Sequence, residues 1–219
     1  MKIGVISDIH SDIVSLKMVL NELESQNVEN IFCCGDIIGY GLFPDAIVKT
    51  IIKKNIISVC GNHEKALFNK SDYLEMNKKA QNAINDNLDF LSETDLLFLK
   101  QLPNHIISNN LRFVHGAPPS SYKNYLHYYE KNEIKNLFNL YKEQICFCGH
   151  THKFAFYEYF ENKLLEKDIK INHEYNILKN HRYIINVGSV SLPREDDIKQ
   201  KHQYVIYDDK TGTISFKAI

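Results

Sequence analysis

Three short apolar runs separated by two helical patterns predict an α/β fold in the N-terminal part of the chain. The runs at residues 3–7, 31–34 and 56–60 are rich in β-branched side chains and are bounded by Gly, Asp, Asn or His. They are too short for helices and are typical of buried strands. Strands that alternate with helices form parallel βαβ units, because each helix carries the chain back across the sheet.

Both helices of this part are predicted from their apolar spacing and from residues that favour helix starts. Residues 14–25 form the first helix, and Ser11 and Asp12 precede it as candidate N-caps. Pro44 opens the second helix, since proline fits the first helical turn. The apolar positions are Leu16, Val19, Leu20 and Leu23 in the first helix and Ile47, Val48, Ile51 and Ile52 in the second.

Two further helical segments, residues 64–102 and 122–140, are expected to cover the side of the molecule that carries the strand ends. The second of them is rich in aromatic residues. Further strands are predicted at residues 112–114, 145–148 and 183–187. The apolar positions of the first segment are Leu88, Leu91, Leu96, Leu97 and Leu99.

Alternation of apolar and polar residues returns from Phe154 onward and predicts antiparallel strands, notably at residues 204–207 and 213–216. We find no internal repeat, low-complexity tract or linker in the 219 residues. A single domain over residues 1–219 is therefore expected.

The composition excludes two classes of protein. The 26 basic and 27 acidic residues lack the basic excess of a dedicated nucleic-acid binder, so no stable nucleic-acid binding is expected. A hydrophobic content of 44% with 24% charged residues is that of a globular chain rather than a disordered one.

The expected compartment is the cytoplasm. Only a short apolar run follows Met1 before Ser7 and Asp8, unlike a secretory signal, and no apolar stretch is long enough to span a membrane. The five cysteines are an odd number, which indicates reduced thiols. Cys146 and Cys148 alternate along a predicted strand, so we interpret them as small buried hydrophobes rather than metal ligands.

Polar, metal-binding residue types follow five of the predicted strands. The carboxyl ends of parallel strands line the ligand crevice of an α/β sheet, so these residues are expected at the same end of one sheet. Taken alone, each piece has a simpler interpretation as a turn, a helix cap or a packed histidine. Their joint occurrence favours a metal site instead. The segments are Asp8-Ile9-His10, Gly35-Asp36, Gly61-Asn62-His63-Glu64, His115-Gly116 and Gly149-His150-Thr151-His152.

This donor set suits a pair of metal ions. Imidazole binds zinc, iron, nickel or copper, and carboxylate suits magnesium or manganese. Two neighbouring metal ions are a recurring device for phosphoryl transfer, in which metal-activated hydroxide attacks in line. Sequence motifs for phosphate-binding loops, dinucleotide binding or a nucleophilic serine are absent. The remaining histidines, His105, His127, His173, His181 and His202, are interpreted as surface or packing residues.

The ordered motifs D-x-H, G-D, G-N-H-E, H-G and G-H-T-H resemble those of the calcineurin-like metallophosphoesterase superfamily. The segment from Asn186 to Val190 resembles that of its small bacterial and archaeal phosphodiesterase branch, and the resemblance extends from Met1 to about Asp208. It implies a four-layer αββα sandwich of two mixed β-sheets flanked by helices.

The resemblance also implies roles for individual residues. Asp8, His10 and His152 would hold one metal ion. Asn62, His115 and His150 would complete the second site, and Asp36 would bridge both ions. His63 would donate a proton to the leaving group or stabilise the charged phosphoryl oxygens, with Glu64 orienting it. Manganese is the first expectation for the metal, with iron, nickel, cobalt or zinc as alternatives.

Departures from other branches of the superfamily point to a small substrate. Phosphoprotein phosphatases and symmetrical dinucleoside-tetraphosphatases carry G-D-x-x-D-R-G after the second strand, whereas Tyr40 stands here in place of the arginine. The expected activity is therefore that of a phosphodiesterase or phosphatase on a small phosphoester, with nucleotide derivatives among the candidate substrates. A serine/threonine-type phosphoprotein phosphatase and a non-enzymatic protein-binding module are the alternatives.

Three features are candidates for substrate contact. Arg194 and Lys123 are cations near the motifs and could steer an anionic substrate. The aromatic residues between Tyr122 and Tyr129 could stack on a nucleobase. The competing interpretation, which we favour for these rings, is an amphipathic helix that packs them on the sheet.

Overall fold

The structure is a computed structural model that describes residues 1–192 and 202–219. Within these residues the chain forms twelve strands and seven α-helices. The strands are β1 (Lys2–Ile6), β2 (Asn30–Cys33), β3 (Ile57–Ser58), β4 (His105–Ser108), β5 (Leu111–Val114), β6 (Ile145–Cys148), β7 (Phe154–Phe160), β8 (Lys163–Glu166), β9 (Glu174–Asn176), β10 (Arg182–Val187), β11 (Gln203–Asp208) and β12 (Thr213–Ala218). The helices are α1 (Ile13–Ser25), α2 (Pro44–Lys53), α3 (Asn62–Phe68), α4 (Lys70–Glu75), α5 (Lys78–Leu88), α6 (Glu93–Lys100) and α7 (Lys131–Leu137).

The strands form two mixed six-stranded sheets. The first sheet has the order β3-β2-β1-β11-β12-β9, with β1, β2 and β3 parallel and the rest antiparallel. The second has the order β4-β5-β6-β10-β7-β8, with β5, β6 and β10 parallel. The predicted parallel βαβ units and the antiparallel C-terminal strands are thereby confirmed.

Three apolar clusters separate four layers. One cluster lies between the two sheets, where Phe32 of the first sheet stacks on Phe113 of the second with ring centroids 4.0 Å apart. A second joins the outer face of the first sheet to α1, α2 and α6. A third joins the outer face of the second sheet to α7 and contains both Cys146 and Cys148. The predicted αββα sandwich is confirmed, and these two cysteines are packed as expected.

The helix starts follow the predicted capping. Asp12 accepts hydrogen bonds from the backbone N–H groups of Val14 and Ser15, and Pro44 begins α2. Three predicted apolar positions are not buried, because Ile52, Leu88 and Leu97 are 48%, 40% and 55% exposed. None of the helices in the described residues is long and apolar enough to cross a membrane. Arg194 lies outside the described residues.

The predicted helix at residues 122–140 is wrong for its first half. This part contains only one turn of 3₁₀ helix, Leu126–Tyr128, before α7. The Ser121 hydroxyl accepts hydrogen bonds from the backbone N–H groups of Lys123 and Asn124. Such local side-chain bonds compete with helix formation, and they hold this segment as a turn.

Candidate metal centre

The five motif segments meet at one end of the molecule, but they come from both sheets. Asp8, His10, Asp36, Asn62 and His63 follow strands β1, β2 and β3 of the first sheet. The expectation of a single sheet is wrong, because the other three residues follow strands of the second sheet. His115 follows β5, and His150 and His152 follow β6.

The turns that carry these side chains have unusual backbone conformations. Asp8, His10, Asp36, His150 and His152 all have positive φ angles, between 49° and 68°. This left-handed region costs non-glycine residues about 1–3 kcal/mol each, and such strain gathers at functional sites. Five strained residues, in the three turns after β1, β2 and β6, indicate that the surrounding structure holds these side chains for a purpose other than folding.

Close backbone approach allows the two sheets to share the centre. The backbone N–H of His150 donates to Oδ2 of Asp8 over 2.9 Å. A Cβ atom at Gly149 would overlap the side chains of Ser7 and Asp8, so only glycine fits there. The second sheet can therefore place His150 and His152 against the end of β1.

Each histidine of the predicted ligand set is held by a backbone carbonyl through the nitrogen that faces away from the centre. The Nδ1 atoms of His10, His115 and His152 donate to the carbonyls of Ile38, Cys34 and Leu192, at 3.3, 2.7 and 2.7 Å. His150 donates instead through Nε2, to the carbonyl of Lys123 at 3.0 Å. Such bonds select the tautomer, so in the neutral ring the opposite nitrogen offers a lone pair to the centre.

The inward nitrogens gather in two groups. Nε2 of His10 and Nε2 of His152 are 3.1 Å apart. In the second group, Nε2 of His115 lies 3.0 Å from Nδ1 of His150 and 3.1 Å from Oδ1 of Asn62. Two lone pairs that face each other at these distances repel, and a shared cation removes that repulsion.

Asp36 lies between the two groups. Its Oδ2 atom is 3.7 Å from Nε2 of His10 and 3.3 Å from Nε2 of His115. Its Oδ1 atom accepts a hydrogen bond from the backbone N–H of His63. One carboxylate oxygen is thereby left to face both imidazole groups.

The donor atoms fit metal ions, which the superfamily resemblance implies. Three sets of His and Asp side chains have ligand atoms within 4.8 Å of one another: Asp8 with His10 and His152, His10 with Asp36 and His63, and Asp36 with His115 and His150. Oδ1 of Asp8 is buried without a hydrogen-bond partner among the described residues, although Nε2 of His152 is 3.2 Å away. A buried carboxylate oxygen without a donor is costly unless a cation binds it.

The electrostatics of the centre agree with this fit. Burial and neighbouring histidines together lower the pKa of His10 and of His150 to about 3, so these rings stay neutral as metal ligands must. Burial also lowers the pKa of His115, but Asp36, Asp8 and the hydrogen bond to the carbonyl of Cys34 together raise it more, to about 9. Asp36 therefore favours positive charge beside Nε2 of His115, where a metal ion would place it.

Glu64 does not orient His63, contrary to expectation. Its carboxylate accepts hydrogen bonds from the backbone N–H groups of Asp36, Ile38 and Gly61, at 3.0, 3.0 and 2.7 Å. Glu64 therefore acts as the cap of α3 and holds the turn that carries Asp36. The simpler capping interpretation is the correct one for this residue.

His63 lies beside both groups without belonging to either pair of facing nitrogens. Its ring packs edge-on against His10 with centroids 4.7 Å apart, and its Nε2 atom is 3.9 Å from Oδ2 of Asp36. Nδ1 of His63 is buried without a hydrogen-bond partner among residues 1–192 and 202–219. Burial lowers its pKa, with a smaller opposing effect of Asp36.

A cavity of about 350 Å³ opens over the centre. The lining includes residues of the centre, namely His10, Asp36, Asn62, His63, His150 and His152. It also includes Tyr40, Tyr122, Tyr125, Lys123 and residues of α4 and α5. The ammonium group of Lys123 is paired with Glu75 at 2.9 Å. The size of the cavity suits a small molecule.

The aromatic segment packs only in part as predicted. Tyr129 contacts the apolar cluster on the outer face of the second sheet. The ring of Tyr125 stacks instead on the imidazole of His150, Tyr122 donates to the carboxylate of Asp72, and Tyr128 is 74% exposed. Tyr122 and Tyr125 therefore line the cavity, which the favoured packing interpretation did not predict.

The chain matches a known family over nearly its whole length. A family model described as the calcineurin-like phosphoesterase superfamily domain matches residues 1–212. The chain belongs to this superfamily. Members of the superfamily depend on dinuclear metal centres, and the Asp and His clusters described above are candidates for such a centre here.

Individual proteins are also similar to this chain. An uncharacterized protein of Methanocaldococcus jannaschii is 35% identical over 213 residues, covering 95% of this chain and 83% of the relative. A crystal structure of a metallophosphoesterase from Sphaerobacter thermophilus has a TM-score of 0.82 and 29% identity, covering 100% of this chain and 88% of that one. A hypothetical protein from Pyrococcus horikoshii OT3 has a TM-score of 0.77 at 13% identity, covering 100% and 87%, which shows the same fold.

The histidines that were interpreted as packing residues mostly have such roles in this phosphoesterase fold. His181 pairs with Glu158 at 2.7 Å, and Nδ1 of His202 donates to the carbonyl of Val190. His127 is closer to the site, because its ring lies 5.2 Å from that of Tyr125. The residues that sequence reasoning missed are those that anchor the ligands through backbone carbonyls, since any residue type can provide one.

Proposed function

We propose that the protein is a two-metal phosphoesterase that hydrolyses small phosphoesters, with phosphodiesters as the first expected substrates. The observation that carries this proposal is the position of Asp36, whose Oδ2 atom faces His10 on one side and His115 on the other. A carboxylate between two imidazole groups is the arrangement expected for a ligand shared by two cations.

The proposed assignment uses all seven predicted ligands. Asp8, His10 and His152 would hold one ion, because the two inward Nε2 atoms and the unpaired Oδ1 atom converge. The second ion would be held by Asn62, His115 and His150. Asp36 would touch both. When bound, such ions stabilise charge on a phosphoryl group and supply hydroxide as a nucleophile near neutral pH.

His63 is proposed to act on the substrate rather than on the metal. It lines the cavity and has no hydrogen-bond partner for Nδ1 in the described chain. Its ring packs against the rings of His10 and Tyr40, which also contact each other. An N–H of His63 could therefore donate to the leaving-group oxygen or to a phosphoryl oxygen in the transition state.

The charge of the cavity supports a small substrate over a phosphoprotein. Tyr40 occupies the place of the arginine found in the phosphoprotein phosphatase branch and lines the cavity. Lys123 is the cation among the described lining residues, and Glu75 and Asp72 lie within 4 Å of its ammonium group. The retention of seven converging donors argues against a binding module that has no activity.

The proposal is tested by reconstitution. Metal-free protein is loaded in turn with manganese, iron, cobalt, nickel or zinc and assayed at about pH 6–9, where metal-bound water ionises. The substrates are p-nitrophenyl phosphate, bis-p-nitrophenyl phosphate, a cyclic nucleotide and a phosphopeptide. We expect about two ions per chain and faster turnover of the diester than of the phosphopeptide.

Matched variants connect activity to the centre. Asp36→Ala should lose both metal ions and activity, since it removes the shared ligand. Asp45→Ala, which changes an exposed carboxylate of α2, should change neither. Binding of fewer than two ions by the wild type, or no hydrolysis of any ester with any metal, would refute the proposed function.

A further inference from the structure

Asn87 connects helix α5 to the turns of the metal centre. It lies near the end of α5, is 2% exposed, and belongs to none of the five motifs. Its Oδ1 atom accepts hydrogen bonds from the hydroxyl of Ser11 and from the backbone N–H of Gly39, at 2.7 and 2.9 Å. Its Nδ2 atom donates to the carbonyl of Gly41 at 3.2 Å.

Asn87 and His10 bind the two polar groups of the same peptide, which joins Ile38 to Gly39. The N–H of Gly39 and the C=O of Ile38 belong to the same peptide, which is rigid and points them in opposite directions. Asn87 holds the N–H, and Nδ1 of His10 donates to the C=O. The orientation of this peptide therefore determines whether a carbonyl is available to anchor His10.

The surrounding turn needs such support. His10 and Ser11 both have left-handed backbone conformations, and a Cβ atom at Gly39 would overlap the Nδ1 atoms of His10 and His63. Strained turns persist only where neighbouring contacts hold them. Ser11 shares the task, since its hydroxyl also accepts a hydrogen bond from the N–H of Gly39 at 3.1 Å.

We propose that Asn87 is a positioning residue for the metal centre: by holding the Ile38–Gly39 peptide, it keeps Nδ1 of His10 bonded and Nε2 of His10 turned toward Asp8 and His152. The anchors of His115 and His150 are the carbonyls of Cys34 and Lys123, which Asn87 does not contact. The effect of Asn87 is therefore confined to one of the two metal sites. This inference rests on the proposed function only in taking His10 as a metal ligand.

The first test measures the tautomer of His10 and needs no metal. Long-range ¹H–¹⁵N spectra of metal-free protein with labelled histidine distinguish a proton on Nδ1 from one on Nε2. We expect Asn87→Ala to reduce the Nδ1–H population of His10 and to leave that of His115 unchanged. Asn85→Ala is the control, because Asn85 is an exposed residue of the same helix that contacts Tyr73. An unchanged His10 spectrum in Asn87→Ala would overturn the proposal.

The second test is a calorimetric titration of metal-free protein with Mn²⁺. Loss of a group that orients a metal ligand reduces metal affinity about 10–100-fold. For Asn87→Ala we expect this loss in one of two binding steps, with the other step unchanged. Equal weakening of both steps, or of neither, would contradict a role through His10. If the wild type itself binds no metal, the proposed function fails, and the tautomer spectrum still decides the role of Asn87.

A second substitution separates positioning from a general effect on folding. Asn87→Asp keeps an acceptor for Ser11 and Gly39 but loses the donor to Gly41. We expect Asn87→Asp to regain most of the tautomer population and of the metal affinity that Asn87→Ala loses. If circular dichroism shows that Asn87→Ala does not fold, the tautomer spectrum and the metal titration are carried out on Asn87→Asp. Equal defects in both variants would mean that the Gly41 contact matters instead, and the proposal would be wrong.

Discussion

The ring of Tyr125 lies nearly flat on the imidazole of His150, with centroids 3.7 Å apart and 19° between the planes. The carbonyl of Lys123, two residues earlier, accepts the hydrogen bond from Nε2 of His150. The segment from Lys123 to Tyr125, which follows β5, therefore holds the imidazole of His150 in two ways. Lys123 accepts a hydrogen bond at the edge of the ring, and Tyr125 stacks on its face. This segment also forms part of the cavity wall, so it connects ligand placement to substrate access.

Removing the Tyr125 ring should weaken the metal site that contains His150. Aromatic stacking contributes about 0.5–1.5 kcal/mol, which corresponds to a two- to tenfold change in affinity. We expect Tyr125→Ala to reduce the affinity for one metal ion by about this factor in a calorimetric titration, and Tyr125→Phe to retain the wild-type value. Equal losses in the two variants would show that the hydroxyl, rather than the ring, supports His150.

His63→Ala should separate catalysis from metal binding. We expect turnover of bis-p-nitrophenyl phosphate to fall by about 10²–10⁴, the usual contribution of a general acid, because the variant lacks the imidazole that faces the cavity. Metal content, counted by elemental analysis, should stay at about two ions per chain. A loss of metal would instead identify His63 as a ligand, as its distance of 3.9 Å from Asp36 allows.

Glu64→Gln should destabilise the fold as well as the centre. The amide has one acceptor oxygen, whereas the two carboxylate oxygens accept hydrogen bonds from three backbone N–H groups, so a buried donor loses its partner. We expect a loss of about 1–3 kcal/mol in the free energy of unfolding, measured with urea. Glu133→Gln is the matched control, since Glu133 caps α7 through one exposed hydrogen bond. A similar small effect in both variants would contradict the structural role of Glu64.

Glu158, in the middle of β7, should make stability depend on pH. Burial raises the pKa of this carboxylate, but Lys167 and His181 lower it more, so the folded value lies below the usual 4.5. The stabilisation is therefore present above pH 4.5 and is lost as the pH falls through the folded value. We expect Glu158→Gln to lower the melting temperature at pH 7 and to have a smaller effect near pH 4. Glu166→Gln changes an exposed residue of the same hairpin, and its effect on the melting temperature should be the same at pH 7 and near pH 4.

The parts of the structure that could be predicted from sequence depend on local patterns. Helix α1 was predictable because its apolar spacing and the Asp12 cap are both encoded within a few residues. The segment after Tyr122 was not, because hydrogen bonds to the Ser121 hydroxyl override its helical spacing. Glu64 was assigned to the wrong partner, since sequence proximity to His63 does not show that its carboxylate faces the turn of Asp36.

The inventory of the centre can be read from the order of the residues: the aspartates, the asparagine and the histidines stand at strand ends, in an order that identifies the superfamily. That these strand ends belong to two sheets, and which nitrogen of each ring faces inward, is evident only from the three-dimensional structure. The contacts that fix both features join distant parts of the chain. The bond from His150 to Asp8 spans 142 residues, and that from His115 to Cys34 spans 81. No local pattern of residues encodes such a pairing.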